Sequence, residues 1–282
     1  MNGTGAPVPS PALLGKFREI LATLPTPDGK RSTFVLDDPN LALKLYAPRG
    51  SDPQTPHTRD EVYIVAEGTG EFVREEERIT FAPGDVLFAA AGVKHRFENF
   101  SDDFATWVLF YGTPILETER LRLRMFIADD FEAYARIHAD AEAMRYLGEG
   151  KTLSRIDAFR HMAMLAGHWQ LRGYGIWAVV EKETNEFIGR VGFHFPEGWP
   201  DFELGWTIAR DRWGRGYATE AASRALRYAF EELGRKHVIS LIHPDNARSI
   251  AVAKKLGETF EGETQVMGMR LLVYGVGGGG TF

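Results

Sequence analysis

The periodicity of the chain changes once, around Gly112-Thr113-Pro114, and that change limits the fold more than any other feature. Before it, from about Thr33 to Tyr111, apolar residues come in short runs broken by Gly, Pro and acidic turns: TFVL, LALKLYA, EVYIVAEGTGEFV, RITFAPGDVLFAA, HRFENF and TWVLFYG. Short strands at this spacing, with no helical period between them, predict a sandwich or small barrel. After it, strand and helix periodicities are mixed, which predicts an α/β or α+β domain. A chain of 282 residues has room for two domains of ordinary size. We place them at 1–113 and 114–282. The join spans only a few residues, so the two are expected to touch rather than to be freely tethered.

The N-terminal nine residues, MNGTGAPVP, read as a loose tail. Ser10-Pro11 supplies an N-cap and a first-turn proline for a short helix. Leu13, Leu14, Phe17, Ile20, Leu21 and Leu24 form its stripe, and Pro25 stops it. In the second domain Leu116–Arg124 reads as a strand, Asp129–Leu147 as one or two helices, and Ser154–Leu171 as a longer helix capped by the serine. Strands are expected at Ile176–Glu181, Phe187–Phe195, Phe202–Ile208 and His237–Ile242, and helices at Gly216–Leu233 and Asn246–Leu256. A strand pair at Thr259–Thr264 and Met269–Val276 closes the domain, and the terminal GVGGGGTF reads as an unpacked tail.

Composition narrows the function classes. Net charge is −6, with 11 Lys/Arg against 16 Asp/Glu in the first domain and 22 against 23 in the second. That balance argues against non-specific binding to nucleic acid or to acidic membrane surfaces. No cysteine is present, so disulfides, thiolate metal sites and cysteine nucleophiles are excluded. The N-terminus has no basic segment followed by an apolar run, and runs such as Val86–Val93 are too short to span a bilayer. A cytoplasmic protein is expected.

The richest segment is ELGWTIARDRWGRGYATEA, residues 203 to 221. A strand ends near Ala209, a loop carries Gly214 and Gly216, and a helix starts at once. Such a loop lets backbone N–H groups approach a phosphate, and the helix N-terminus adds positive partial charge. Arg210, Arg212 and Arg215 add full charges nearby. WGRGYATEA after an ELGW strand closely resembles the pyrophosphate-binding motif of the GNAT N-acetyltransferase superfamily, and most of all its ribosomal-protein N-acetyltransferase-like branch. The resemblance runs over about 114–276 and includes LETERLRLR, FIGRVGF and HPDNARSIAVAKKLG at 243–257. Trp213 stands where the family's loop usually begins with Gln or Arg.

The resemblance implies acetyl-CoA held between two splayed parallel strands. It implies that Trp213 and Thr219 flank the binding loop and that the amides of Gly214, Arg215, Gly216, Tyr217 and Ala218 hold the pyrophosphate. Asn246 is implied to contact or shape the pantetheine channel, and Ser249, one turn on, to protonate the departing thiolate. The acceptor ammonium, with a pKa of ~10, must lose a proton before it attacks a thioester. Glu203, at the start of the strand leading to the loop, is the first candidate base, with His194 and His243 as alternatives. The acceptor side is expected around the 147–173 helix region and the Phe195–Phe202 hairpin, where Trp199, Glu197 and Asp201 lie. Those carboxylates suit a cationic amine and fit equally well as ordinary loop polarity.

In the first domain, positions 55, 57 and 61 share parity, so on a regular strand they face one side. His95 and Asn99 share parity on a second run. Two histidines and a glutamate meeting inside a barrel would make a facial triad, His57, Glu61 and His95, suited to Fe(II), Mn(II), Ni(II) or Zn(II). The two runs resemble the paired motifs of the cupin superfamily. His57, Glu61 and Gly68 match the first motif, and Gly84, Gly92, His95 and Asn99 the second. Two departures stand out: Thr55 replaces the leading histidine and Ala90 the second motif's proline. The fold expected is therefore an all-β cupin, a small jelly-roll barrel, followed by an α/β (α+β) GNAT acyltransferase domain. Three readings remain open. The first is an N-acetyltransferase for a small-molecule amine or a protein N-terminus, whose cupin domain binds ligand or metal, regulates, or forms a homodimer. The second is a bifunctional enzyme with a metal-dependent cupin activity, and the third a non-catalytic acyl-CoA sensor.

Overall fold

The computed structural model describes residues 16–38 and 41–278. The chain divides into two compact units, Met1–Pro114 and Ile115–Phe282. Among the described residues no helix is long and apolar enough to cross a membrane.

Unit 1 opens with a short helix, α1 (Phe17–Leu21). The N-cap pair Ser10-Pro11 and the stripe residues Leu13 and Leu14 lie outside the described residues, as do the first nine. Eight strands follow: β1 (Ser32–Asp37), β2 (Leu41–Tyr46), β3 (Asp60–Glu67), β4 (Gly70–Arg74), β5 (Glu77–Phe81), β6 (Val86–Ala89), β7 (His95–Glu98) and β8 (Ala105–Tyr111). They form a five-stranded antiparallel sheet, β1-β2-β8-β3-β6, and a three-stranded one, β5-β4-β7. This is the all-β two-sheet arrangement that the short strands predicted. Both sheets turn aromatic side chains inward, and Tyr63, Phe72, Phe81, Phe97 and Phe104 make the centre of the core. Gly68 follows β3 with φ +80°, where an added Cβ would come within 2.5 Å of Phe104 Cα.

Unit 2 begins with β9 (Leu116–Glu117) and β10 (Leu121–Arg124). The expected single strand Leu116–Arg124 is therefore two. Thr118 breaks it by pairing its N–H with Leu121 O at 2.9 Å and accepting the Leu121 N–H on its hydroxyl at 2.9 Å, a side chain-stabilised turn. Next come α2 (Phe131–Ala139), α3 (Ala141–Met144) and α4 (Arg155–Arg172). Asp140 separates the first two helices and caps α3, accepting from Glu142 N at 2.9 Å. Ser154 caps α4, accepting from Asp157 N at 3.1 Å, and Gly173 ends it in the left-handed region.

The remaining order is β11 (Ile176–Glu181), β12 (Glu186–His194), β13 (Glu203–Ile208), α5 (Tyr217–Glu231), β14 (His237–Ile242), α6 (Ala247–Lys255), β15 (Thr259–Val266) and β16 (Met269–Gly277). The eight strands form one sheet, β15-β16-β14-β13-β12-β11-β10-β9. The expectation of an unpacked GVGGGGTF tail fails for its first residues. Gly275, Val276 and Gly277 pair with Ile239, Val238 and His237, because Val276 buries its side chain in the core beneath α5. Residues 279–282 lie outside the description.

Every pairing in this sheet is antiparallel except β13 with β14. Those two run parallel and share a single register pair, Glu203↔Ile239. Beyond it they diverge, and α5 and α6, which follow their C-terminal ends, come to flank the gap.

Candidate active site and metal centre

The cleft of unit 2 grows out of that divergence. Gly214 and Gly216 adopt φ +75° and +84°, left-handed backbone that a side chain would strain. Gly216 is the N-cap of α5, and the helix makes its first bond from Glu220 N to Gly216 O at 3.0 Å. The N–H groups of Tyr217, Ala218 and Thr219 thus have no acceptor within the helix and point out of its first turn. Together with the helix dipole they make an arrangement suited to an anion.

The cleft, of about 300 Å³, is lined by Trp206, Thr207 and Ile208 of β13, by Trp213, Gly214 and Gly216 through Thr219, and by Asn246 and Ser249 of α6. Asn246 is the N-cap of α6, and its Oδ1 accepts the Ser249 N–H at 3.2 Å. It therefore shapes the cleft by holding the helix start in place. Trp213 donates from Nε1 to Ile208 O at 2.7 Å, and the Arg248 guanidinium stacks 4.0 Å from its ring centroid. Arg215 does not line the cleft; its backbone carbonyl accepts from Arg120 Nη1 at 3.0 Å. The flanking arginines are partly neutralised: Arg210 pairs with Asp140 at 2.8 Å and Arg212 with Glu186 at 2.7 Å.

Glu203 does not line this cleft; it sits at the other end of β13, at the point where the two strands part. Trp199 Nε1 donates to its Oε2 at 2.5 Å. Burial raises the Glu203 carboxyl to about 7, against the pull of the Trp199 bond and the Arg190 charge. His194 faces Glu203 across β12 and β13, and burial lowers it to about 4. His243 packs its ring 5.1 Å from Tyr146 and accepts from Asp245 N at 3.2 Å. Glu197 is exposed, and Asp201 accepts the Phe202 N–H at 2.7 Å, so Trp199 is the hairpin residue that reaches Glu203.

Sequence reasoning missed the bracket behind the anion loop. Arg120 donates from Nε to Glu220 Oε2 at 2.7 Å and lies 4.5 Å from the Tyr217 ring centroid. Thr118 donates to the other Glu220 oxygen at 2.6 Å. The only trace in the chain is the polar LETER stretch, whose partner lies 100 residues away.

In unit 1, His57, Glu61 and His95 bring three ligand atoms within 4.8 Å of one another. The triad bridges the two sheets, with Glu61 on β3 and His95 on β7. His95 donates from Nδ1 to Val93 O at 2.8 Å, which leaves Nε2 to act as the ligand atom. Tyr63 donates to Glu61 Oε2 at 2.5 Å and lies 2.8 Å from His95 Nε2. Burial acts to raise the Glu61 carboxyl, yet its bonds to His57, His95 and Tyr63 hold it at about 2. This set of one ionised carboxylate and two imidazoles, buried except for the half-exposed His57, fits a divalent metal.

His57 precedes β3 and stands on a loop with the exposed Thr55, where strand alternation does not apply. Asn99 ends β7 with φ +50° and donates to Glu71 at 2.6 Å, so it does not join the triad. Lys44 was also missed. It shares the inward parity of Ala42 and Tyr46 on β2, lies about 5.6 to 6.0 Å from the Phe34, Tyr46 and Phe110 ring centroids, and has its pKa lowered by burial.

A splayed parallel strand pair with an anion-binding loop at its mouth defines a class of acyl-CoA-dependent transferases. Residues 120–259 match the family described as acetyltransferase (GNAT) domain, and residues 42–111 match the cupin domain. A Bacillus subtilis protein, the uncharacterised N-acetyltransferase YoaA, is 31% identical over 150 residues, spanning 53% of this chain and 85% of that protein. The crystal structure of an acetyltransferase from Agrobacterium tumefaciens is 32% identical, with a TM-score of 0.53, over 59% of this chain and 96% of that one. The fold is shared with a ribosomal L7/L12 alpha-N-protein acetyltransferase, 18% identical with a TM-score of 0.50, over 58% of this chain and 97% of that one. The chain belongs to the GNAT acetyltransferase family, with a cupin domain ahead of its acetyltransferase domain.

Proposed function

We propose that unit 2 transfers an acetyl group from acetyl-CoA to a primary amine, on a small molecule or a protein N-terminus. The observation that carries this reading is the single pairing of β13 with β14 at Glu203, with open first-turn amides at one end of the gap and a carboxyl poised near neutrality at the other. Bound acetyl-CoA supplies an activated thioester carbonyl, whose C–S bond breaks as the acceptor's C–N bond forms. The amides of Gly214 through Thr219 hold the pyrophosphate in this reading. Glu203 takes the proton from the acceptor nitrogen, and a base with a pKa near the working pH is well matched to that task. Ser249, in the first turn of α6 and on the cleft wall, gives the departing sulfur a proton and regains one from water.

Incubating the protein with acetyl-CoA and a panel of amines and N-terminal peptides tests this reading. Acceptor-dependent release of the CoA thiol is expected, and tight CoA binding without release across the panel would leave a sensor instead.

A second proposal concerns unit 1, where the convergence of His57, Glu61 and His95 supports a resident divalent metal. Ile64, Val86 and Phe88 are exposed on the paired strands β3 and β6, a surface suited to a homodimer contact. Light scattering at two concentrations tests that contact.

A further inference from the structure

One face of the unit 2 sheet carries buried polar atoms that the acetyl-transfer chemistry does not use. Arg190 Nε, His194 Nδ1, Thr207 Oγ1 and, from α2, His138 Nε2 are all buried without a hydrogen-bond partner. Arg190 and His194 share parity on β12, and the register places Thr207 opposite Arg190 and Glu203 opposite His194. Cross-strand partners face the same side, so Arg190, Thr207, His194 and Glu203 belong to one surface. Gly205 lies between Glu203 and Thr207, and an added Cβ there would meet nothing nearer than Glu203 Oε1 at 4.0 Å. A side chain-free strip thus runs along β13 from the candidate base to Thr207, which also lines the acetyl-CoA cleft.

The charge at the far end of this strip has no paired carboxylate. Among the described residues no carboxylate comes within ion-pair distance of the Arg190 guanidinium. The surrounding imidazoles do not compensate it, since burial and the Arg190 charge keep His138 and His194 at about 4, and so neutral. His161, whose Nδ1 meets the Tyr134 hydroxyl at 2.8 Å, is likewise held at about 3. Glu203 feels the Arg190 charge but does not pair with it, and a half-buried guanidinium with no paired carboxylate is costly, while its fork matches a ligand carboxylate with two parallel hydrogen bonds.

We propose that Arg190 and Thr207 form the anion-binding end of the acceptor site, so that the acceptor is a small amine carrying a carboxylate, an amino acid or a close analogue. This rests on the acetyl-transfer reading above. The four residues of strand between the Arg190 and Glu203 levels span roughly 13 Å between Cα positions, a gap that two long side chains on one face can narrow. An amine at Glu203 and a carboxylate at Arg190 then belong to one small molecule. A polyamine would place a second cation against Arg190, and a neutral amino sugar would leave the guanidinium unpaired.

The test uses the reaction's product form, so that it does not depend on turnover. N-acetyl derivatives of the twenty common amino acids, and their carboxamides, are titrated by calorimetry into the full-length protein loaded with CoA. At least one N-acetyl amino acid should bind tenfold or more tightly than its own carboxamide. Arg190→Gln should erase that ratio, Arg190→Lys should keep part of it, and Thr207→Val should weaken binding of the carboxylate form alone. The wild-type ratio needs no variant, so a misfolded Arg190→Gln protein would not leave the matter open. Equal binding of acid and amide, a ratio that survives Arg190→Gln, or no binding by any N-acetyl amino acid would each overturn the proposal. Turnover of cationic or neutral amines only would overturn it as well while leaving the transferase reading intact. Carboxylate-selective binding without any acetyl transfer would do the reverse.

Discussion

Arg120 reaches from the turn before β10 to Glu220 in the first helical turn after the anion loop, with Nε 2.7 Å from Oε2, and the same guanidinium donates to Arg215 O at 3.0 Å. One side chain thereby joins the edge of the sheet to the loop that lines the mouth of the cleft. Arg120→Ala should raise the KM for acetyl-CoA about 5- to 10-fold, the equivalent of ~1 kcal/mol for a partly exposed ion pair. The kcat should stay within about 2-fold, because no reacting atom touches Arg120. Steady-state kinetics with acetyl-CoA as the varied substrate checks the split.

The carboxyl of Glu203 is raised to about 7, so its ionised, proton-accepting form becomes dominant only above that pH. Acetyl transfer should therefore rise with pH through a midpoint near 7. Glu203→Gln should lower kcat by roughly 10²- to 10⁴-fold and remove that limb, leaving only the ionisation of the acceptor amine near ~10. A variant with wild-type turnover at every pH would take Glu203 out of the mechanism.

These two residues show what the chain revealed and what it concealed. The strand, Gly-X-Gly loop and helix beside the cleft are contiguous, and their glycine and helix signals are local, so Gly214 and Gly216 stood out in the sequence, while the pyrophosphate role proposed for them came with the GNAT resemblance. Arg120 could not, because its partner is 100 residues away and only the folded sheet brings the two together. Arg190 was hidden for a related reason: its meaning depends on the register that sets it opposite Thr207. In unit 1 the histidines were legible by type, but the parity that joined His57 to Glu61 presumed strand where there is loop. The Thr118 turn likewise broke an alternation that read as one strand.

Metal uptake should depend on the triad and not on unit 2. Elemental analysis of protein incubated with Fe(II), Mn(II), Ni(II) or Zn(II) and then desalted should find about one equivalent of a favoured ion. His57→Ala and His95→Ala should each reduce this at least tenfold while acetyl transfer stays unchanged. Equal metal content in the wild type and both variants would dismiss the site.

Glu258 supplies a stability test. Its Oε1 accepts from Ser240 Oγ at 2.9 Å, its Oε2 is buried without a partner, and burial raises the carboxyl to about 8. A raised carboxyl makes the folded state bind its proton more tightly than the unfolded chain does. Its contribution is therefore fully present below the unfolded value near ~4.5 and is lost as pH rises through about 8. Glu258→Gln should gain on the wild type as pH rises, by up to about 5 kcal/mol at pH ~9, with little gain at pH ~4. Denaturant titrations at the two pH values measure it, and a constant difference would argue against a protonated Glu258.

Acetyl transfer to an amine at the β13–β14 gap is read out by mass spectrometry of the protein with acetyl-CoA and a mixed library of amines, amino acids and N-terminal peptides. Gly216→Glu is the control, since a carboxylate set at the N-cap of α5 would occupy and repel the pyrophosphate. The wild type should form a product heavier by one acetyl group with equimolar CoA release, and Gly216→Glu should form none. Binding of acetyl-CoA by the wild type with no acetylated product from any acceptor would contradict acetyl transfer at this gap.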